Sequence, residues 1–393
     1  MKHIVFLTGN YFPNHSAVSN CVEKVVLNLE KDIKITVICP DSNNTEILNE
    51  IHFNHSVIKF RYNNSNKFLR RFNRGMNKFS LDVNLVKMYI EQLNNITDSI
   101  DMIISAAMPY ETVKASIEYK ENFNRNVKIV PYLFDPYANN ENLHYFNFMK
   151  FFKKKWIKEF EKDMICKSNN LILMHHLGKY INENFSKYTN KFHFVEHPLF
   201  IKQPLLANKK INFNKKINFV YSGSFYKKIR NPEFMLELFS ELSKKNKAIF
   251  NIYSFGDCNE LLEKYSNEFS DIINHGSVSS SIAFEKMINA DVLIALGNST
   301  STQAPSKIFE YMTLEKYIVY IYKNDLDRNI EILSHYPRAI IISEDYKLIN
   351  THIESIFTEL KNGKEIFSEK LSNDFIDATP EYTGNLIRKM LKK

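Results

Sequence analysis

The sequence has few cysteines and lacks the motifs of several large enzyme classes. Its 393 residues include four cysteines, and no two of them form a C-x-x-C pair. This spacing argues against a disulfide scaffold or a zinc site and favours a reducing compartment. Neither GxGxxG nor GxxxxGK[ST] occurs. Their absence disfavours a dinucleotide-binding dehydrogenase and excludes a P-loop NTPase.

Long apolar runs are also missing. No stretch approaches the ~20 apolar residues that a membrane-spanning helix needs. The first residues, MKHIVFLT, read directly as a strand, without the apolar core and cleavage site of a signal peptide. We therefore expect a cytoplasmic protein.

The net charge of +8 favours anionic partners. Nucleic acid, a phosphorylated small molecule and an anionic membrane surface all remain open as partners.

The sequence does contain two successive series of strand-like and helix-like segments. Apolar runs predict strands at residues 3–8, 33–39, 57–61, 101–105, 127–134 and 170–174, and again at 217–221, 248–255, 271–274, 291–296, 318–322 and 338–342. Helical patterns lie between them at 17–30, 77–95, 111–119 and 146–167, and then at 232–245, 280–289, 305–314 and 324–333. Strands that alternate with helices predict parallel, doubly wound α/β sheets.

The two series are separated by a polar, lysine-rich stretch that reads as a linker. We therefore predict an N-terminal Rossmann-like domain at residues 1–199, a linker at 200–216 and a second Rossmann-like domain at 217–374. The last residues, 375–393, are amphipathic and are expected to form a helix that packs back on the first domain. Ligands of such sheets bind at the carboxyl ends of the strands, here in a central cleft that the two domains face.

The segment PSKIFEYM at residues 305–312 carries the strongest functional signal. Its proline suits a first helical turn, and the free N–H groups of the residues from Ser306 onward would bind an anion. Lys307 adds positive charge, and Glu310, about one turn further, could accept hydrogen bonds from two neighbouring hydroxyls. Phosphate at a helix start beside a diol on a carboxylate describes a nucleotide diphosphate. The alternative is an ordinary buried helix that carries charged residues.

Two tandem Rossmann-like domains with such a helix in the second resemble the GT-B glycosyltransferases. The closest likeness is to the retaining bacterial glycosyltransferases of family four, also called group 1, and it extends over nearly the whole chain. The resemblance implies a GT-B fold, an acceptor site in the first domain and a nucleotide-sugar donor site in the second.

The stretch FVYSGSFYKKIRNPE resembles the loop with which this family binds the donor diphosphate. Gly223 falls on the family's glycine, and Arg230 falls on the lysine that holds the diphosphate. Ser224 stands where the family has an arginine, so that Lys227 or Lys228 would supply the missing charge. A glycine at a strand end followed by cations allows close backbone approach and neutralises a pyrophosphate. A basic, solvated loop is the alternative reading.

The family's E-x7-E element is matched in part. Glu310 takes the place of the second glutamate, which in the family binds the ribose hydroxyls. Thr302 replaces the first glutamate, which contacts the donor sugar, and Gln303 lies beside it. The resemblance therefore implies a nucleotide site and leaves the transferred sugar open.

Two residues of the first domain are candidates for a catalytic role. His15 lies in a loop that resembles the family's cover over the donor phosphates, although a solvent-exposed loop histidine is an equal reading. Asp135 ends a buried strand, near the point where the family commonly places a histidine facing the reacting sugar carbon. Asp135 is our candidate for contact with the acceptor hydroxyl or for its base. An aspartate that turns the chain before Pro136 is the alternative.

Two stretches, residues 67–78 and 146–156, mix lysine or arginine with aromatic residues. At an anionic membrane surface the apolar side chains would insert and the cations would contact headgroups. The alternative is a helix whose apolar face packs on the sheet while its lysines are solvated. Single-stranded nucleic-acid binding uses similar residues, but no RNA-binding motif accompanies them, and we expect no nucleic-acid partner.

We therefore expect a glycosyltransferase that moves a sugar, with retention, from a nucleotide diphosphate sugar to a hydroxyl of a glycan or lipid-linked acceptor. Its expected setting is bacterial surface polysaccharide synthesis, in the cytoplasm or at the inner face of the membrane. No cofactor is expected, and no DxD motif stands in a setting that would suit a metal. Two alternatives are a GT-B nucleotide-sugar epimerase and a catalytically silent scaffold subunit of a polysaccharide assembly complex.

Overall fold

A computed structural model of the chain divides into two compact units, Met1–Leu199 with Asp377–Lys393, and Phe200–Ile376. The residues that the structure describes are 1–12, 16–41, 54–62, 74–140, 147–201, 211–299, 306–366 and 368–392. Most of the predicted linker lies outside these ranges. Within them, no helix is both long and apolar enough to cross a membrane.

The first unit is built on a seven-stranded parallel sheet. Its strands are β1 (His3–Leu7), β2 (Lys34–Pro40), β3 (Ser56–Phe60), β4 (Met102–Ala106), β5 (Lys128–Leu133), β6 (Leu171–Met174) and β7 (Phe192–Val195). They lie in the order β3-β2-β1-β4-β5-β6-β7. Every residue of β1 and of β4 is buried, as expected for parallel strands that are covered on both faces.

The described helices of the first unit alternate with these strands. They are α1 (Ala17–Leu29), α2 (Val83–Asn94), α3 (Glu111–Asn122), α4 (Asn147–Lys167) and α5 (Gly178–Phe185). α1 begins at a capping box, in which Ser16 Oγ accepts from the Ser19 amide while Ser19 Oγ accepts from the Ser16 amide. This cap fixes the chain where it leaves the loop after β1.

The second unit repeats the plan with six parallel strands. They are β8 (Ile217–Phe225), β9 (Ala248–Gly256), β10 (Ile272–Gly276), β11 (Val292–Leu296), β12 (Tyr317–Tyr322) and β13 (Ala339–Ser343), in the order β10-β9-β8-β11-β12-β13. The described helices between and after them are α6 (Glu233–Lys244), α7 (Asn259–Glu268), α8 (Ser280–Ile288), α9 (Lys307–Thr313), α10 (Arg328–Ser334), α11 (Ile349–Asn362) and α12 (Ser368–Asp374).

The chain ends in α13 (Pro380–Lys392), which returns to the first unit and packs on α1. Arg388 fastens it there, because its guanidinium bonds to the Asp32 carboxylate and to the side chain and backbone oxygens of Asn28. Gly384 lets the two helices approach, since a Cβ at this position would lie 2.3 Å from Asn28 Oδ1. A return helix on the first unit is what the sequence predicted.

The twelve predicted strands are present, and the α/β class is confirmed. Two helices begin later than predicted because a carboxylate caps them: Asp82 accepts from the amides that open α2, and Asp327 does so for α10. Among the described residues, α9 begins at Lys307, and the proline at which its start was predicted lies outside those residues. The sequence reading missed β7, α5, α7, α11 and α12.

Candidate active site

The polar residues of the second unit gather where its strand order reverses. β8 pairs with β9 on one side and with β11 on the other, so that the chain winds in opposite directions from this point. Ligands of open α/β sheets bind beyond the carboxyl ends of the strands at such a switch point. Ser222 and Gly223 lie at the end of β8, and Asn298 follows β11.

Arg230 is fixed at this edge by Asn298. Its Nε and Nη2 donate to Asn298 Oδ1 at 3.0 and 2.8 Å, and Asn298 is buried. The loop that carries Arg230 is tied to the same place, because the Ser299 amide donates to Ile229 O at 2.8 Å and Ser299 Oγ donates to Lys228 O at 2.8 Å. The guanidinium plane is therefore oriented before any ligand arrives.

Lys307, the first residue of α9, is a second cation at this edge. Its Nζ donates to Ser222 Oγ at 2.9 Å. Tyr311 Oη fastens the same residue by donating to Ser222 O at 3.1 Å. Burial lowers the pKa of the Lys307 ammonium; Glu310 opposes this shift and Arg230 adds to it. An anion bound beside the two cations would reverse their mutual destabilisation.

Glu310 is half-buried one turn into α9, near Lys307 and in the position predicted to hold a diol. Ser306 is the N-cap residue of α9, although its side chain makes no capping hydrogen bond. The structure thus groups Arg230, Lys307 and Glu310, with Ser306 beside them. Thr302 and Gln303, which were predicted to neighbour the donor sugar, lie outside the described residues.

The remaining predicted donor residues lie on β8 and the loop after it. Packing within the chain favours glycine at position 223, since a Cβ there would lie 2.9 Å from Tyr221 Oη. That hydroxyl donates to Ser224 O at 3.1 Å. Lys228 and Lys227 are exposed, as expected of side chains that could reach a ligand from the loop.

In the first unit, Asp135 follows the end of β5. Burial raises the pKa of its carboxyl group to about 6. Among the described residues its carboxylate makes no hydrogen bond or ion pair, while its backbone oxygen accepts from Tyr110 Oη at 2.5 Å. A carboxylate with a raised pKa and no partner within the described part of the chain is a candidate general base. His15, the other predicted catalytic residue, lies outside the described residues.

Histidines follow β6 and β7, the two strands that lie beyond β5 toward one edge of the sheet. The rings of His176, after β6, and His197, after β7, stack with centroids 6.2 Å apart and 9° between their planes. His197 also contacts Phe134, which precedes Asp135, with centroids 6.1 Å apart. The carboxyl edge of β5, β6 and β7 therefore collects ionisable groups. The Nε2 of His175 is instead paired with Asp377 Oδ2, at 2.8 Å.

No group of three or more His, Cys, Asp or Glu side chains among the described residues could hold a metal ion. Independence of metals and of cofactors stays a prediction from the sequence.

Sequence reasoning missed three residues that hold the cations at the switch point of the second sheet, namely Asn298, Ser222 and Tyr311. Asn298 carried a usable signal, because it stands two positions after a predicted strand, where ligand-facing residues of parallel sheets concentrate. Ser222 and Tyr311 carried none, since their pairing depends on how α9 packs on β8.

No protein-family model matches the chain, and no curated protein matches it by sequence. Solved structures do match over its whole length. An apo lipopolysaccharide outer core galactosyltransferase, WaaB, is similar at 12% identity with a TM-score of 0.59, covering 99% of both chains. A glycosyltransferase from Rickettsia africae is similar at 13% identity with a TM-score of 0.63, covering 100% of this chain and 98% of that one.

A third similar structure is Anabaena HepE in complex with UDP and glucose. It shares 11% identity with a TM-score of 0.63, and the match covers 100% of both chains. At such low identity the shared property is the fold. The chain therefore has the GT-B fold of these glycosyltransferases, as its sequence predicted.

Proposed function

We propose that a protein with this GT-B fold is a glycosyltransferase that takes its sugar from a nucleotide diphosphate donor. The observation that carries the proposal is the grouping of Arg230, Lys307 and Glu310 at the switch point of the second sheet. Arg230 is oriented by Asn298, and Lys307 is held by Ser222. Two fixed cations suit a diphosphate, and a carboxylate one helical turn away suits a ribose diol.

The cations act on the charge that develops during the reaction. As the bond between the anomeric carbon and the diphosphate oxygen breaks, negative charge accumulates on the leaving diphosphate. Cations that are already oriented stabilise that charge without reorganisation. Ser306, Ser224 and Lys228 complete the proposed phosphate and donor contacts, with Gly223 allowing the backbone to come close.

Asp135 is the proposed residue for the acceptor hydroxyl. Because burial raises its pKa to about 6, the group is ionised at neutral pH and is a stronger base than an ordinary aspartate. The acceptor oxygen forms the new bond to the anomeric carbon on the same face that the diphosphate leaves, as retention in one step requires, and its proton passes to the carboxylate. His15 is proposed as a further contact.

The similar structures also bear on the donor, the acceptor and the biological setting. The similar structures include a lipopolysaccharide galactosyltransferase and a protein solved with UDP and glucose. On this basis we favour a uridine-type donor, a glycan or lipid-linked acceptor, retention of configuration and a role in bacterial surface polysaccharide synthesis. The proposed location is the cytoplasm, at the inner face of the membrane.

A thermal-shift screen tests the donor site. UDP, GDP, CMP and their sugars are added to the wild type and to Glu310→Gln, with Glu260→Gln as a control in the first turn of α7. At least one nucleotide should raise the Tm of the wild type and of Glu260→Gln, because a ligand stabilises the fold that binds it. The rise should be smaller in Glu310→Gln. No rise with any nucleotide, or equal rises in all three proteins, would reject the site.

A further inference from the structure

The N-terminal half of α4 exposes large aromatic side chains. Phe151 is 77% exposed, Phe152 is 63% exposed, and Trp156 is 42% exposed. The two phenylalanine rings contact each other with centroids 5.8 Å apart. Scattered single apolar residues are normal on a protein surface, whereas three large ones within two helical turns mark an interaction surface.

The opposite side of the same helix is firmly packed. Ile157 and Phe160 are buried, and the Phe160 ring lies 4.9 Å from the Tyr137 ring and 5.6 Å from the Phe79 ring. Lys153 is buried as well and donates to Gly75 O and Asn77 O. α4 is thus held by one face, and its aromatic face is presented outward on a fixed support.

The exposed aromatic residues are interleaved with cations. Lys154, Lys155 and Lys158 are exposed, and none of them forms an ion pair within 4 Å among the described residues, although Lys158 acts to lower the pKa of the buried Glu161. Within residues 151–158 there is no acidic side chain. Further along α4, by contrast, Lys167 pairs with a carboxylate. Within the described side chains of α4, lysines without an ion pair therefore lie beside exposed aromatic side chains only at residues 151–158.

We propose that the face formed by Phe151, Phe152, Lys154, Lys155, Trp156 and Lys158, here called the α4 face, docks on an anionic lipid bilayer. The aromatic side chains enter the boundary between headgroups and acyl chains, and the lysines contact anionic headgroups. Tryptophan suits this boundary because its ring is apolar while its indole N–H is a donor. The net charge of +8 acts in the same direction.

The proposal supplies a membrane surface for the function proposed above, but its test does not depend on that function. Vesicle binding requires no donor, acceptor or turnover. If the α4 face fails to bind lipid, the donor-site screen is unaffected. If the donor-site screen fails, the vesicle experiments still test lipid binding by this face independently.

Trp156 makes the test direct because it is the only tryptophan of the chain. Its fluorescence is recorded as vesicles of equimolar phosphatidylglycerol and phosphatidylcholine are added to the full-length protein. The emission should shift to shorter wavelength, and lipids brominated on their acyl chains should quench it. Vesicles of phosphatidylcholine alone should produce a much smaller shift, because the lysines gain nothing from a neutral surface.

Matched variants separate the lysines from general charge. Lys154→Gln, Lys155→Gln and Lys158→Gln together should weaken binding to the anionic vesicles about 100-fold, since each lysine near the surface contributes about a factor of five. The control carries Lys215→Gln, Lys245→Gln and Lys264→Gln, three exposed positions in the second unit, and loses the same charge. It should bind almost as the wild type does.

The aromatic contribution is tested by Phe151→Ser with Phe152→Ser. This variant should bind at least about 10-fold more weakly, because less apolar area leaves water. Co-sedimentation with vesicles measures its binding independently of fluorescence, and Trp156→Phe should still sediment. Thermal unfolding checks that each variant is folded, which is expected because the changed side chains are exposed.

Four outcomes would overturn the proposal. The first is an emission that stays unshifted and unquenched with anionic vesicles. The second is a shift that grows with protein concentration in the absence of lipid, which would assign the α4 face to a second copy of the chain. The third is displacement from vesicles by a single-stranded oligonucleotide that binds the same face more tightly. Equal binding by the lysine variant and its control would also contradict the account.

Discussion

Lys307 Nζ donates a hydrogen bond to Ser222 Oγ at 2.9 Å, which joins the start of α9 to the end of the central strand β8. β8 and α9 could each be predicted from their own stretch of sequence. The contact between them could not, because it links residues 85 positions apart. It fixes a cation at the point where the second sheet reverses its winding. The donor site proposed here depends on that placement.

Lys307→Met tests the charge at this point. The variant keeps the length and apolar stem of the side chain and removes the ammonium, so that donor affinity should fall about 10- to 100-fold, as for loss of one charged hydrogen bond. Isothermal titration with the nucleotide found by the thermal-shift screen measures the change. Lys316→Met, a lysine outside the proposed site, should leave affinity unchanged. Equal affinity of Lys307→Met and the wild type would remove Lys307 from the site.

Asn298→Ala tests whether Arg230 needs its support. Without the two hydrogen bonds to Asn298 Oδ1, the guanidinium becomes free to rotate, and the ordering cost moves to the binding step. We expect kcat/KM to fall about 10-fold. Arg230→Lys should lose as much, because a single ammonium cannot reproduce the fork. In the double variant the losses should be less than additive; strict additivity would show that the two residues act separately.

Asp135 should give activity and stability opposite dependences on pH. A base works when it is ionised, so kcat/KM should rise with pH through about 6 and then level off. The folded protein favours the neutral acid, so this group contributes stability at low pH that is lost as pH rises from about 4 through about 6.

The variant Asp135→Asn separates the two effects. It should lose turnover while it gains about 3 kcal/mol of stability at pH 7.5, because the cost of ionising a buried carboxyl is removed. Urea unfolding of both proteins at pH 4.5 and pH 7.5 measures the gain, with the exposed Asp325→Asn as a control. An active Asp135→Asn, or one whose stability relative to wild type is the same at both pH values, would contradict the assignment.

Gly384→Val tests the packing of α13 on α1. The added side chain would meet Asn28 Oδ1, which lies 2.3 Å from the position of a Cβ, and the helices would have to separate. Overpacking of this kind costs about 1–3 kcal/mol, which should appear as a lower urea midpoint. Lys389→Val, on the exposed side of α13, introduces the same β-branched residue without the clash and should remain near wild type.

The sequence predicted most of the fold because parallel strands are apolar along their whole length. β4 and β11 are fully buried runs of this kind, and each was recognised. β7 was missed since Phe192–Val195 is short and contains a histidine. Helices such as α7 were missed because their buried faces are narrow, with Leu262 and Tyr265 as the buried residues.

The candidate site could be predicted where residues stand at strand ends and could not where it depends on packing. Gly223 and Arg230 follow a predicted strand, and Glu310 lies in a helix whose spacing is readable. The hydrogen bond from Arg230 to Asn298 requires the register of β8 against β11. The raised pKa of Asp135 requires its burial, which no local pattern reveals.

The most direct test of the central claim is proton and phosphorus NMR of a nucleotide sugar incubated with the wild type, a lipid-linked glycan extract and, in parallel, Glu310→Ala. A glycosyltransferase should consume the anomeric proton signal of the donor and release the nucleoside diphosphate, with little turnover by Glu310→Ala. A nucleotide sugar whose sugar is epimerised while its diphosphate stays attached would contradict the account. A donor that binds but remains intact with every acceptor would contradict it as well and would favour a scaffold subunit.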